Sequence, residues 1–348
     1  MSEARRPPGA RPASAPEPPR GWRLWVTGAR PRTLPAAVVP VLVGSAVAAL
    51  DVAWFGRGGW QRIGPSSAVI VVGPPGPFGY LFRGLIVWRV LAAMVVALFI
   101  QIGTNYANDY SDGVRGTDDE TRVGPIRLVG SGLASPSSVK KAAIASFGVA
   151  ALAGLALAAA TTWWLLLVGA VCFAAGWLYT GGPRPYGYYG FGELFVFVFF
   201  GLVATVGSTY VQVDWRPWQA FPWVAWPCAA AVGCLATALL VVNNLRDIPT
   251  DTVAGKKTLA VRIGDHRTRV LYVVLMVVPY VLLPIIAGLA QRPWAVLAFA
   301  AIFVAQKPVL GVLQGAKGPA LIPVLAGTAR VQLVYGVLLT AGLLLSPL

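Results

Sequence analysis

The sequence predicts an all-α membrane protein of nine transmembrane helices, read as two four-helix halves plus one added helix. Three observations predict it. Hydrophobic residues make up 57% of the 348 and charged residues only 12%, where a soluble chain carries about a quarter charged. Apolar runs of bilayer-spanning length recur along the chain. Lys and Arg are dense in alternate loops and sparse in the others, the asymmetry that sets orientation in a membrane.

Residues 1–20 are rich in Pro, Ala and Arg and show no periodicity. They cannot bury a core, so 1–24 is expected to be a disordered cytoplasmic tail and 25–348 the membrane domain. No signal-peptide core precedes the first span, so no cleavage is expected. The nine spans fall at 33–50, 88–107, 142–160, 163–180, 191–211, 223–243, 269–289, 294–313 and 322–345. Residues 51–87 are Gly/Pro-rich and too broken to span, and read as an extracytoplasmic loop. Thr161-Thr162 is a minimal turn that makes a hairpin of the third and fourth spans. Each of two acidic clusters closes the second helix of a four-helix group and precedes a basic loop, RVGPIRLVGSG and then KKTLAVRIGDH. Two related halves would bring the clusters face to face.

Seven arginines precede the first span, and the loops after spans two, four, six and eight hold most of the remaining basic residues. This places the N-terminus and both acidic clusters in the cytoplasm. It also accounts for the net charge of +15 without a nucleic-acid partner. Cys172, Cys228 and Cys234 lie in apolar segments without metal or disulfide spacing. The single histidine, His266, excludes His-rich metal chemistry.

The chemistry-bearing stretch is Gln101–Lys141. Asn105, Asn108, Asp109 and Asp112 are spaced 0, 3, 4 and 7, which puts four oxygen-bearing side chains on one helix face. Asp118, Asp119 and Glu120 follow, with Arg115, Arg122 and Arg127 interleaved. The second cluster is Asn243, Asn244, Asp247 and Asp251, followed by Lys256 and Lys257. Pro249 lies between the two aspartates, where it would kink or end the helix. Ionisable groups on the continuation of an apolar helix are costly and point to function. Two carboxylate-and-amide faces without His or Cys suit a hard cation such as Mg²⁺, and the basic residues suit a polyanion. Together they read as Mg²⁺ bridging aspartates to a diphosphate. Aspartates lining a cation pathway are the rival reading, which leaves the arginines and lysines unexplained. A third segment, Tyr179 to Glu193, faces the same way. In it Tyr179 and Arg184 are candidates to contact the diphosphate or its reacting end, and Glu193 to orient a phenolic acceptor. An interfacial aromatic belt is the plainer alternative.

NDYSD at 108–112 with DIPTD at 247–251 resembles the paired aspartate motifs of the UbiA-type intramembrane prenyltransferases. ARPRTLPAAVVPVLVGSA at 29–46, LYTGGPRPYGYYGFGELFVFVFFG at 178–201 and NNLRDIPTDTVAGKKTLAVRIG at 243–264 are closer to the branch that uses 1,4-dihydroxy-2-naphthoate. The resemblance covers about residues 25 to 345. It implies nine helices around a central cavity in a bacterial-type inner membrane, with the active site open to the cytoplasm. It implies two Mg²⁺ ions, one on Asn108, Asp109, Asp112 and Asp118, the other on Asn244, Asp247 and Asp251, with the diphosphate between them. Asn105, Arg115, Arg122, Arg127, Arg184, Lys256 and Lys257 are then expected to bind substrate. Asp109, Asp112, Asp247, Asp251, Tyr179 and Glu193 are expected to serve catalysis. The implied reaction joins a polyprenyl chain to the naphthoate with loss of its carboxylate, giving demethylmenaquinone. The chain departs from the superfamily pattern at Gly116, where a further aspartate is usual; here the acid comes at Asp118. A sister enzyme using 4-hydroxybenzoate and a cation or solute transporter are the alternatives.

Overall fold

The computed structural model describes residues 19–55, 85–116, 126–212 and 221–345. All regular structure among them is helical. The chain opens with α1 (Trp22–Ala29), in residues partly assigned from sequence to the disordered tail. Trp22, Trp25 and Val26 recur at helical spacing, which gives this short helix an apolar side. Tyr106 donates to the Trp25 carbonyl at 2.7 Å, and the two rings meet edge to face. The helix stops at Arg30, which is left-handed (φ 55°) and followed by proline. The chain then turns by 56° into α2 (Pro35–Phe55).

Then follow α3 (Val87–Arg115), α4 (Pro136–Ala160), α5 (Trp164–Leu178), α6 (Gly192–Tyr210), α7 (Ala225–Val253), α8 (Leu259–Ala290), α9 (Pro293–Leu313) and α10 (Leu321–Leu344). From α2 on, a helix stands at each expected span. Seven of the described helices are long and apolar enough to cross a membrane, and the bent α1–α2 pair is an eighth candidate. Helix α5 has only 15 residues, or about 22 Å, against a hydrocarbon core of about 30 Å.

Helix α7 runs unbroken through Pro249, so Asp247 and Asp251 share one helix rather than straddling a break. The proline lies one turn from the helix end, where its missing N–H removes a single backbone bond. Helix α8 likewise starts ten residues ahead of its expected span and kinks at Gly264 (φ 79°). Residues 51–55, placed in the loop from sequence, continue α2; residues 56–84 lie outside the described residues.

Helix α3 packs along α4, and α7 along α8. Helix α2 lies between α6 and α10, and α10 also packs on α7 and α9. The main core centres on α7. Within α6, Phe197–Val203 forms a π-helical segment. There Gly201 meets Gly233 of α7 so closely that a Cβ on Gly201 would sit 2.6 Å from the Gly233 Cα. In lipid, helices associate by such small-residue contacts rather than by expelling water. At the opposite end from the acidic clusters, Arg89 donates to the carbonyls of Val211 (3.0 Å) and Ala160 (3.1 Å), joining three helix ends.

Candidate active site

The helices enclose a cavity of about 970 Å³. Its polar mouth is lined by Asn105, Asn108 and Asp112 of α3, by Asn243, Asn244, Arg246, Asp247 and Asp251 of α7, and by Arg127, Tyr179, Tyr188 and Lys256 from the connecting loops. Its deep end is apolar, walled by Ala93, Leu157, Leu165 and Val211. Along α3 the lining runs from Asp112 to Ala93, a rise of about 28 Å. The two acidic clusters expected face to face therefore share one chamber.

Asp112 is held from three sides. Its Oδ1 accepts from the Tyr188 hydroxyl at 2.7 Å. Lys256 Nζ lies 3.4 Å from the same oxygen, and Arg127 Nη2 lies 3.8 Å from Oδ2. The Tyr188 ring has Lys256 on it at 4.7 Å and Arg115 at 5.5 Å. Asn108 Oδ1 accepts from the Thr180 hydroxyl at 2.8 Å. Across the mouth, Arg246 grips its neighbour Asp247 with Nε and Nη2, both at 2.7 Å, and Nη2 also reaches Asn243 at 2.9 Å. The third guanidinium nitrogen of Arg246, Nη1, is buried and has no hydrogen-bond partner among the described residues. Tyr179 packs its ring on the α6 N-terminus, where a Cβ on Gly192 would come within 3.4 Å of the phenol oxygen. Burial pushes the Tyr186 phenol up, and it keeps its proton in a 2.8 Å bond to the Ala175 carbonyl.

Several expected site residues lie elsewhere. Asp109 is fully buried and does not line the cavity. Its carboxylate accepts the backbone N–H groups of Leu128 (2.8 Å) and Val129 (3.0 Å), so it fastens the loop that carries Arg127. Adjacent residues on a helix point about 100° apart, and Asn108 takes the cavity side. Asn105 borders the cavity, but its amide is spent on the Ala29 carbonyl (2.9 Å) and Thr33 (3.2 Å), holding the α1–α2 bend. Glu193 lies behind the lining, bonded to Asn244. Arg184, flanked by two prolines, is exposed and lines no described pocket. Arg115 and Lys257 border a separate, smaller pocket beyond Tyr188, and Arg115 is tied to the carbonyls of Thr180 and Gly182. Asp118 and Arg122 fall outside the described residues.

Sequence reasoning passed over Tyr188, Thr180 and the Asp247-binding role of Arg246. Arg246 carried a signal: an arginine beside an aspartate, on the end of an apolar helix. Tyr188 and Thr180 stand among other tyrosines, threonines and glycines with no spacing to single them out.

The donors at the mouth are carboxylate and amide oxygens, a set that fits a hard divalent cation. Among the described residues no three of His, Cys, Asp or Glu gather closely enough to enclose a metal.

Fold and cavity together define a helical membrane enzyme whose polar groups gather at one end of an apolar chamber. The chain belongs to the UbiA prenyltransferase family, whose model matches residues 63–320. It is 46% identical, over 92% of its length and 96% of the relative's, to a Mycobacterium tuberculosis protein named 1,4-dihydroxy-2-naphthoate octaprenyltransferase. It is 37% identical over 71% of its length to the Escherichia coli protein of the same name, covering 70% of that chain. In fold it matches a UbiA homolog from Archaeoglobus fulgidus bound to DMAPP and Mg²⁺, with a TM-score of 0.51 at 16% identity, covering 91% of this chain and 99% of the other.

Proposed function

We propose that this chain transfers a polyprenyl group from polyprenyl diphosphate to 1,4-dihydroxy-2-naphthoate, releasing diphosphate and CO₂ and forming demethylmenaquinol, the reduced form of demethylmenaquinone. The observation that carries this reading is the single chamber: Asp112, Asp247 and Asp251 line its mouth together with Lys256 and Arg246, above a long apolar hold. The names of relatives 46% and 37% identical support the acceptor.

Asn108 and Asp112 on one side, and Asn244, Asp247 and Asp251 on the other, would hold two Mg²⁺ ions. Bound there, Mg²⁺ would take up charge that grows on the leaving diphosphate. Lys256 and Arg127 supply donors to the phosphate oxygens, and Arg246 holds Asp247 in place. The apolar deep end holds the prenyl chain beside α3 and keeps the allylic carbon at the mouth. The allylic C–O bond breaks and its electrons leave with diphosphate. The electron-rich ring carbon bonds to the allylic carbon and gives up its proton, and the carboxylate leaves as CO₂ while a proton takes its place on the ring. Tyr179, at the boundary between polar and apolar lining, positions the reacting end.

Helix α5, though short, completes nine spans. The N-terminus and the mouth face the cytoplasm of a bacterial-type cell, in its inner membrane. Cysteine labels test the orientation: one at exposed Ser137 should react with cytoplasmic reagents only, and one at exposed Gln291 from outside only. The reverse pattern would turn the cavity mouth away from its substrates. The activity is tested with purified protein, Mg²⁺ and mixed prenyl diphosphates with dihydroxynaphthoate and 4-hydroxybenzoate. Mass spectrometry should find a prenylated naphthalene product whose formation needs Mg²⁺. Prenylation of 4-hydroxybenzoate alone would reassign the acceptor. No Mg²⁺-dependent release of diphosphate would remove the enzyme reading.

A further inference from the structure

Glu193 is only 6% exposed, at the first turn of a membrane-spanning helix. It does not line the cavity. One carboxylate oxygen, Oε1, accepts from Asn244 Nδ2 at 2.9 Å. The other, Oε2, is buried without a hydrogen-bond partner among the described residues. A buried carboxylate with one oxygen unsatisfied is costly. Its side-chain partner, Asn244, does line the cavity, one turn ahead of Asp247 on the same face of α7.

An asparagine presents an oxygen on one side of its amide and an NH₂ on the other. A carboxylate oxygen accepts, so the nitrogen must be the atom that faces Glu193. That leaves Asn244 Oδ1 for the cavity. A glutamine at this position would not fix the choice. Two amides can pair in either sense, and in the flipped sense Asn244 turns its NH₂, a repulsive group, toward a cation.

We infer that Glu193 is a positioning residue that sets the orientation of the Asn244 amide and so makes Asn244 a cation ligand, rather than a group that touches the acceptor. The inference rests on the proposed Mg²⁺ site at Asn244, Asp247 and Asp251. Partners of this kind behind a metal ligand are worth 10- to 100-fold in metal affinity.

The test is Mn²⁺ binding to the purified full-length protein, followed by electron paramagnetic resonance with Mn²⁺ alone as probe. Glu193→Gln should weaken Mn²⁺ binding about 10-fold. The exchange of both partners, Glu193→Gln with Asn244→Asp, should restore it to within about threefold of the native protein. An aspartate has no flip to fix: one oxygen accepts from the glutamine amide and the other meets the cation. A pair that served only to pack α6 on α7 would not predict that rescue. Native Mn²⁺ affinity in Glu193→Gln, with only the KM for acceptor raised, would overturn the inference and return Glu193 to the acceptor. A double exchange that binds no better than the single one would also overturn it. Asp251→Ala separates the two levels. If the native protein binds Mn²⁺ and Asp251→Ala abolishes that binding, a null result at Glu193 counts against this inference alone. If the native protein binds no Mn²⁺, the metal site itself is refuted and the inference with it.

Discussion

Helices α3 and α7 bring similar polar clusters to the same cavity mouth, yet they are held in opposite ways. In the most apolar stretch of α7, 78% of residues are buried inside the protein; in that of α3, only 17%. Helix α7 is a post in the core, packed by α8, α6, α10 and α2. Its cluster is fixed from within, by the Arg246 grip on Asp247 and the Glu193 bond to Asn244. Helix α3 stands at the flank, where one face meets the cavity. Its cluster is fixed from outside by loops: Thr180 on Asn108, Tyr188 on Asp112, and the 127–130 backbone on Asp109. A carboxylate can thus be placed by a rigid helix or by a laced loop, and the two should fail differently.

The largest expected effect ignores that difference. If both clusters serve one diphosphate, Asp112→Ala and Asp247→Ala should each lower kcat at least about 100-fold, with the protein still folded. Steady-state kinetics on both variants checks this. Near-native turnover in either would break the pairing of the clusters.

The next effect depends on it. Asp109→Ala leaves the buried Leu128 N–H and the half-buried Val129 N–H without their acceptor, at a cost of about 3 kcal/mol. Thermal unfolding in detergent should show the loss. Mn²⁺ affinity should stay within about threefold of native, because Asp109 does not line the cavity. A collapse of Mn²⁺ affinity in a well-folded Asp109→Ala protein would restore this residue as a metal ligand.

The smallest sharpens the role of the loop. Tyr188→Phe keeps the ring between Lys256 and Arg115 and removes only the bond to Asp112. We expect roughly a tenfold fall in kcat/KM, about 1.5 kcal/mol for a bond to a charged group, with thermal stability unchanged. An unchanged kcat/KM would mean that Lys256 and Arg127 place Asp112 without help.

The helices and the paired clusters were legible because both rest on periodicity. Apolar runs mark spans, and the 0, 3, 4, 7 spacing marks a face. Periodicity does not say which of two neighbours on that face points inward, and so Asp109 and Asn108 were grouped although the structure separates them. Nor does charge type say what a cation touches. Arg184 and Lys256 both follow a cluster or motif in a loop, but Arg184 is exposed and Lys256 reaches Asp112. Tyr188 and Thr180 act through contacts 76 and 72 residues away in the chain, which no local pattern records. The α1 helix was missed because eight residues followed by a left-handed arginine are too short to stand out against a disordered tail.

The π-helical segment of α6 has a consequence of phase. Along this helix and just past its end the cavity is lined by the pairs Phe195/Val196, Phe199/Phe200, Val203/Ala204 and Gly207/Ser208 and then by Val211, a repeat of four residues. Sixteen positions of plain α-helix are about 4.4 turns, and would leave Val211 facing nearly away from Phe195. The wider turns of Phe197–Val203 absorb the surplus and bring the stripe round to almost whole turns. The wall of the cavity is straight because the helix behind it is locally unwound. The bulge acts as a vernier between two registers: one sets the tyrosine-lined mouth, and the other sets the arginine-tied floor.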